Sequence, residues 1–171
     1  MIDKSLLEAK LGDACKYVEG LKTFRDIVDF HKEIFTMIGD ISDMILHGNG
    51  LDLELQTRTF IDQALTNLAR YMAFEVMVVK DDATLEEVPF KKFYQSKQVS
   101  YVIQTETQLL LTFLLDMDER GAEVAVADIR GDEEFRERLE KQLKDMPKMV
   151  WSLEKQCVVV EAAMSKKEER E

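Results

Sequence analysis

Apolar residues recur at every third or fourth position through most of this sequence, and this period constrains the fold more than any other feature. Such spacing gathers apolar side chains on one face of an α-helix, whereas a half-buried strand would need strict alternation. Seven glycines and two prolines leave few positions for tight turns, which argues against a sheet-rich fold. The sequence therefore predicts an all-α protein, an antiparallel bundle of about five helices.

The apolar stripes divide the chain into helices with definable ends. The first helix is predicted over residues 3–21 and the second over 23–47, up to the turn at Gly48-Asn49-Gly50. The third is expected over 53–79 and the fourth over 97–120. Asp132 is expected to cap the last helix, which is kinked or split at Pro147 because proline lacks the amide hydrogen of an inner turn.

Three segments do not follow this pattern. Residues 122–129 mix alternating valines with alanines, and we assign them to a loop or a short edge strand. Residues 81–96 form a connector interrupted by Pro89. Residues 166–171 are all charged, so that we expect a frayed tail after a single domain at 1–165.

The formal net charge of −11 disfavours direct binding to nucleic acid, which depends on clustered lysine and arginine. No stretch reaches the length of about 20 apolar residues that a membrane span needs, and no signal peptide is recognised. We therefore expect a soluble, cytoplasmic protein. Cys15 and Cys157 lie on apolar stripes and are therefore interpreted as small buried side chains. Their isolation from each other excludes a cysteine zinc site.

Three polar residues interrupt the stripes that face the predicted core: His31, Glu75 and Glu106. A buried charge or imidazole costs several kcal/mol unless it is paired. One hypothesis is that the three converge on a metal ion or a polar ligand. The alternative is an internal hydrogen bond, or side chains that reach the surface at a helix edge. The Glu-x-x-His motif of di-iron bundles does not occur in the chain.

Two acidic pairs form a second candidate site, namely Asp40 with Asp43 and Asp116 with Glu119. Pairs of acids on different helices resemble the way in which helical nucleotide pyrophosphohydrolases hold magnesium. His47 shares a face with the first pair. The pairs lie near helix ends, however, and a solvated surface is the favoured interpretation.

Apolar side chains beside the main stripes form a third candidate. On the second helix these are Phe30, Met37 and Met44, and on the fourth they are Leu111, Leu114 and Leu115. A second apolar face needs a second partner. That partner is a neighbouring helix of the same bundle, another subunit or a client protein.

These features favour a non-enzymatic interaction protein, an adaptor, chaperone-like or inhibitory bundle that acts through an apolar strip on an acidic surface. Its expected partner is another protein or a second copy in a homodimer. One alternative is a divalent-metal-dependent phosphohydrolase similar to the pyrophosphohydrolases, and another is a sensor bundle that binds a small ligand. No organic cofactor is predicted.

Overall fold

The all-α prediction is confirmed: a computed structural model describes residues 4–21, 24–76, 97–145 and 147–148, and in these ranges every regular element is helical. Six helices are described rather than five. They are α1 (Lys4–Glu19), α2 (Phe24–His47), α3 (Leu51–Phe74), α4 (Lys97–Arg120), α5 (Ala122–Gly131) and α6 (133–145).

The extra helix is α5, so the assignment of residues 122–129 to a loop or strand is wrong. Its buried residues are Ala122, Ala125, Val126 and Ile129, which follow the helical spacing. Val124 is 52% exposed, so the apparent alternation of valines does not reflect a buried strand face. Gly121 adopts a φ of 99°, a conformation that favours glycine, and separates α5 from α4.

Several predictions fall on residues outside the described ranges. They include the connector at 81–96, the tail at 166–171, Cys157 and the C-terminal part of the last helix. The predicted break at Pro147 lies at the edge of the description, since residues 146 and 149–171 are outside it. Cys15, by contrast, is described and is exposed, which corrects its expected burial: it occupies the solvent side of α1, next to the buried Ala14.

Contacts between side chains fix the directions of the helices. α1 runs parallel to α3, because Lys10 reaches Asp62 and Tyr17, seven residues on, lies beneath Arg70. The short turn after His47 makes α2 and α3 antiparallel neighbours. α4 and α6 are also antiparallel: Phe113 and Phe135 have ring centroids 4.3 Å apart, and Glu106 accepts a 2.7 Å hydrogen bond from Arg138.

α2 is buried on most of its circumference and contacts α3, α4 and α5. Its buried side chains form four rows of seven-residue spacing, Ile27/Ile34/Ile41, Val28/Phe35/Ser42, Phe30/Met37/Met44 and His31/Ile38/Ile45. Burial of one large apolar side chain contributes about 1.5 to 3 kcal/mol. These rows therefore make α2 the largest described source of core stability.

The predicted apolar interaction strip does not exist as an exposed surface. Its residues Phe30, Met37, Met44, Leu111 and Leu114 are at most 4% exposed, and Leu115 is half-buried against the same core. The second face on α2 is covered within the chain, where Phe30 contacts Tyr17 of α1 and Phe74 of α3. Among the described residues the exposed large apolar side chains are Leu6, Leu55, Val76 and Val124.

The α2–α3 turn depends on close packing and on a cation from α5. A Cβ atom at Gly48 would lie 2.5 Å from the carbonyl oxygen of Met44, so only glycine fits there. Arg130 then donates hydrogen bonds to the carbonyl oxygens of Ile45 (2.9 Å) and Gly48 (2.6 Å). The carbonyl of Ile45 lies in the last turn of α2, where carbonyls lack intrahelical partners, and a cation there also complements the helix dipole.

Replacing Arg130 by methionine tests this cap. The variant keeps most of the aliphatic stem but loses two charge-assisted hydrogen bonds, and we expect the free energy of unfolding in urea to fall by about 1.5 to 3 kcal/mol. Arg136→Met is the matched control, because Arg136 is exposed and its side chain makes no hydrogen bond or ion pair with a described residue. Equal stability losses in the two variants would contradict the cap.

Candidate functional site

His31 lies in the core, on the face of α2 that meets α3. Its Nδ1 donates a 2.7 Å hydrogen bond to the carbonyl oxygen of Ile27, and its ring packs edge-on against Phe30 and Phe74. Burial lowers the pKa of His31 to about 4, although the bond to Ile27 opposes this shift. The imidazole is therefore neutral at physiological pH and acts as a packed polar member of an aromatic cluster.

Glu106 and Glu75 lie elsewhere. Glu106 is on α4, with a side chain 13% exposed, and binds Arg138 of α6 at 2.7 Å. Its second carboxylate oxygen is sealed from solvent without a hydrogen-bond partner in the described part of the chain. Glu75 is half-buried at the C-terminal end of α3. The predicted convergence of the three residues would require Glu106 to lie beside His31. The structure instead pairs Glu106 with Arg138.

The four acids proposed as metal ligands also remain apart. Asp116 is held by Arg120, whose Nε and Nη2 donate to its two carboxylate oxygens at 2.7 and 2.6 Å. Arg120 also donates to Asp128 of α5 at 2.9 Å, so this network ties α4 to α5 across Gly121. Asp43 and Glu119 are exposed. Within the described ranges no three histidine, cysteine, aspartate or glutamate side chains are grouped as metal ligands.

Asp40 contributes to a different feature, a groove between α2 and α3. This groove, hereafter the α2–α3 groove, has a volume of about 590 Å³. It is lined on α2 by Asp29, Lys32, Glu33, Thr36, Met37 and Asp40, and on α3 by Asp62, Gln63, Thr66, Asn67 and Arg70. These residues recur every three or four positions, so they are the faces that two adjacent helices turn toward each other at the surface.

The floor of the α2–α3 groove is built from Met37 and Asn67, which are 4% and 5% exposed. The side-chain nitrogen of Asn67 donates a hydrogen bond to the sulfur of Met37 at 3.0 Å. A thioether sulfur is a weak acceptor, and methionine adapts its shape readily. The floor therefore combines a flexible apolar side chain with an amide that the protein satisfies poorly.

The walls are held by contacts to α1. The guanidinium of Arg70 lies 3.8 Å above the ring centroid of Tyr17 and 3.8 Å from Glu33. At the other end, Lys10 binds Asp62 at 2.7 Å and donates to the hydroxyl of Thr66 at 3.1 Å. Burial, followed by the nearby charge of Glu33, raises the pKa of Tyr17. α1 thus braces the α3 side of the groove at two levels.

Sequence reasoning found Asp40 and Met37 but assigned them other roles, and it missed Asn67 and Arg70. Asn67 directly precedes Leu68, a member of the apolar stripe of α3. The available signal in the sequence was therefore a polar residue next to a core position. The pairing of Arg70 with Tyr17 joins residues 53 positions apart and has no local signature.

No protein-family model, curated protein or solved structure matches this chain. None of the described helices combines the length and the apolar character that crossing a bilayer would require. The α2–α3 groove is accordingly the candidate functional site.

The buried neutral His31 predicts a specific dependence of stability on pH. Below pH 6.5 the unfolded chain takes up a proton at His31 that the folded chain binds only near pH 4, so stability falls through this window. At about 1.4 kcal/mol per pKa unit, the loss approaches about 3 kcal/mol. Urea unfolding of the wild type and of His31→Leu at several pH values measures it, and the variant should lack this slope.

His47→Gln is the control for the histidine experiment, because His47 is exposed and its replacement should leave the slope between pH 6.5 and 4 in place. An unchanged slope in His31→Leu would show that another group is responsible.

The Asp116 network predicts a second effect at lower pH. The hydrogen bonds from Arg120 lower the pKa of Asp116 below its ordinary value of 3.8. The pair therefore stabilises the fold fully above pH 3.8, and its contribution is lost as the pH falls through the lower folded-state pKa. Asp116→Asn should unfold at a lower temperature than the wild type at pH 7, with the difference shrinking toward pH 2. Asp118→Asn, at an exposed neighbour, should show no such pattern.

Proposed function

We propose that this protein is a non-enzymatic interaction module that binds a segment of another protein in the α2–α3 groove. The observation that supports the proposal is the groove itself, which has a nearly buried floor at Met37 and Asn67 and charged walls. A nearly buried, adaptable centre inside a polar rim is the usual anatomy of a recognition surface. The proposal keeps the function class expected from the sequence but moves the site from the apolar strip to the groove.

The size of the α2–α3 groove suits a short stretch of polypeptide. On α2 its lining extends from Asp29 to Asp40, which corresponds to about 16 Å along the helix axis at about 1.5 Å per residue. An extended chain would place about five residues over that length. The volume of about 590 Å³ lies within the range of about 300 to 1,000 Å³ that is typical of binding pockets.

The phosphohydrolase alternative receives less support. It requires Asp40, Asp43, Asp116 and Glu119 to converge on one cation, and Asp116 is instead engaged by Arg120. A homodimer stays a prediction, and it would need a surface other than Leu111 and Leu114, which are buried. We further propose that the protein is cytoplasmic. Its net charge of −11 favours proteins over nucleic acids as partners.

Blocking the groove tests the proposed function. Peptides of about twelve residues, longer than the groove can hold in extended form, are selected from an unbiased display library on the wild-type protein. Binding of the synthetic peptides is then measured on Thr36→Trp, which places an indole in the groove from an exposed position. We expect affinity to fall at least about tenfold, or about 1.4 kcal/mol.

Thr112→Trp is the matched control, because Thr112 is an exposed threonine on α4 outside the groove. It should bind the selected peptides as the wild type does. The proposal fails if no peptide is selected, or if every selected peptide binds Thr36→Trp and the wild type equally well.

A further inference from the structure

We infer that the segment bound in the α2–α3 groove is an extended, lysine- or arginine-bearing peptide whose backbone pairs with the side-chain amide of Asn67. This inference rests on the proposed function and specifies the partner of the same site. Two independent observations carry it, the state of the Asn67 amide and the unpaired carboxylate of Asp40.

Asn67 is only 5% exposed, yet the protein does not supply all the hydrogen bonds that its side-chain amide can make. Its nitrogen donates to the sulfur of Met37, and its oxygen has no hydrogen-bond partner among the described residues. That oxygen is not one of the polar atoms sealed from solvent without a partner, so it opens into the groove that the residue lines. A ligand that hydrogen-bonds to this oxygen replaces water at a nearly buried amide, so it meets the amide's hydrogen-bonding capacity where the protein does not.

A carboxamide presents one acceptor and two donor hydrogens, of which the sulfur of Met37 uses one. The remaining acceptor and donor match the N–H and C=O groups of a peptide backbone. In a helical segment these groups are already bonded to each other within the helix, whereas in an extended segment they are free. The Asn67 amide therefore selects an extended backbone over a helix.

The charge of the groove indicates the side chains of the occupant. Its lining carries four carboxylates, and three of them have a cationic partner: Asp29 pairs with Arg25, Glu33 with Arg70 and Asp62 with Lys10. The Arg70 guanidinium is already stacked on Tyr17 and lies close to Glu33. Asp40 makes no ion pair with any described residue. A basic side chain that enters between α2 and α3 would complement this unpaired carboxylate.

The peptides selected in the groove-blocking test are the probes, and their composition is the first readout. Those that lose affinity on Thr36→Trp should be enriched in lysine and arginine relative to the library. Asp40→Asn should weaken their binding by about threefold at low salt and less at high salt. Asp43→Asn, which removes an exposed carboxylate outside the groove on the same helix, should leave binding unchanged.

Backbone pairing is tested by N-methylation of each peptide position in turn. Methylation at one position should weaken binding to the wild type by about three- to tenfold, because it removes the N–H that Asn67 accepts. The same methylation should cost less than about twofold on Asn67→Leu, which lacks the acceptor, as a double-mutant cycle requires. Circular dichroism of Asn67→Leu checks that the variant remains folded.

The outcomes separate this inference from the proposed function. Groove-bound peptides that are acidic, neutral or helical would overturn it, and so would a methylation penalty of equal size on Asn67→Leu and the wild type. In each of these cases the groove still binds a protein segment. If no selected peptide loses affinity on Thr36→Trp, both this inference and the proposed function are overturned.

Discussion

The burial of α2 on most of its surface is the constraint on which the rest of the structure depends. Four rows of side chains at seven-residue spacing must all be covered, and no single neighbouring helix can cover more than part of them. α3, α4 and α5 therefore pack around α2 from different directions. Only a narrow stripe of α2, with Asp29, Thr36 and Asp40, remains at the surface, and this stripe forms one wall of the groove.

Two polar side chains in the buried rows of α2 are placed where a local backbone carbonyl accepts their hydrogen bond. His31 and Ser42 occupy positions in the buried rows, and each bonds to the carbonyl oxygen four residues earlier, that of Ile27 or Ile38. Such a bond meets part of the desolvation cost without a charged partner. The two residues thus extend the buried surface of α2. The side-chain oxygen of Asn67, by contrast, accepts no hydrogen bond from any described residue.

The sequence predicted the helices well because their period is a local property. The bounds of α4 agree with the prediction, and α2 ends at His47 as predicted. α5 was missed because alternating valines at 124 and 126 imitated a strand in a segment of ten residues. The site was predicted poorly for a different reason. Whether Met37 or Leu111 faces a neighbour or the solvent depends on how many helices surround it, and the contact of Arg70 with Tyr17 depends on the tertiary arrangement.

The contacts of Arg130 also order the events of folding. The α2–α3 turn is complete in sequence by residue 53, but the guanidinium that binds Ile45 lies 85 positions further along the chain. Ser42 likewise forms a hydrogen bond with Gln142, which is 100 positions away. During synthesis these polar groups of α2 emerge long before their partners and stay hydrated until then. Because the entropy of closing such long loops is lost before the contacts form, we expect the docking of α5 and α6 onto α2 to slow folding.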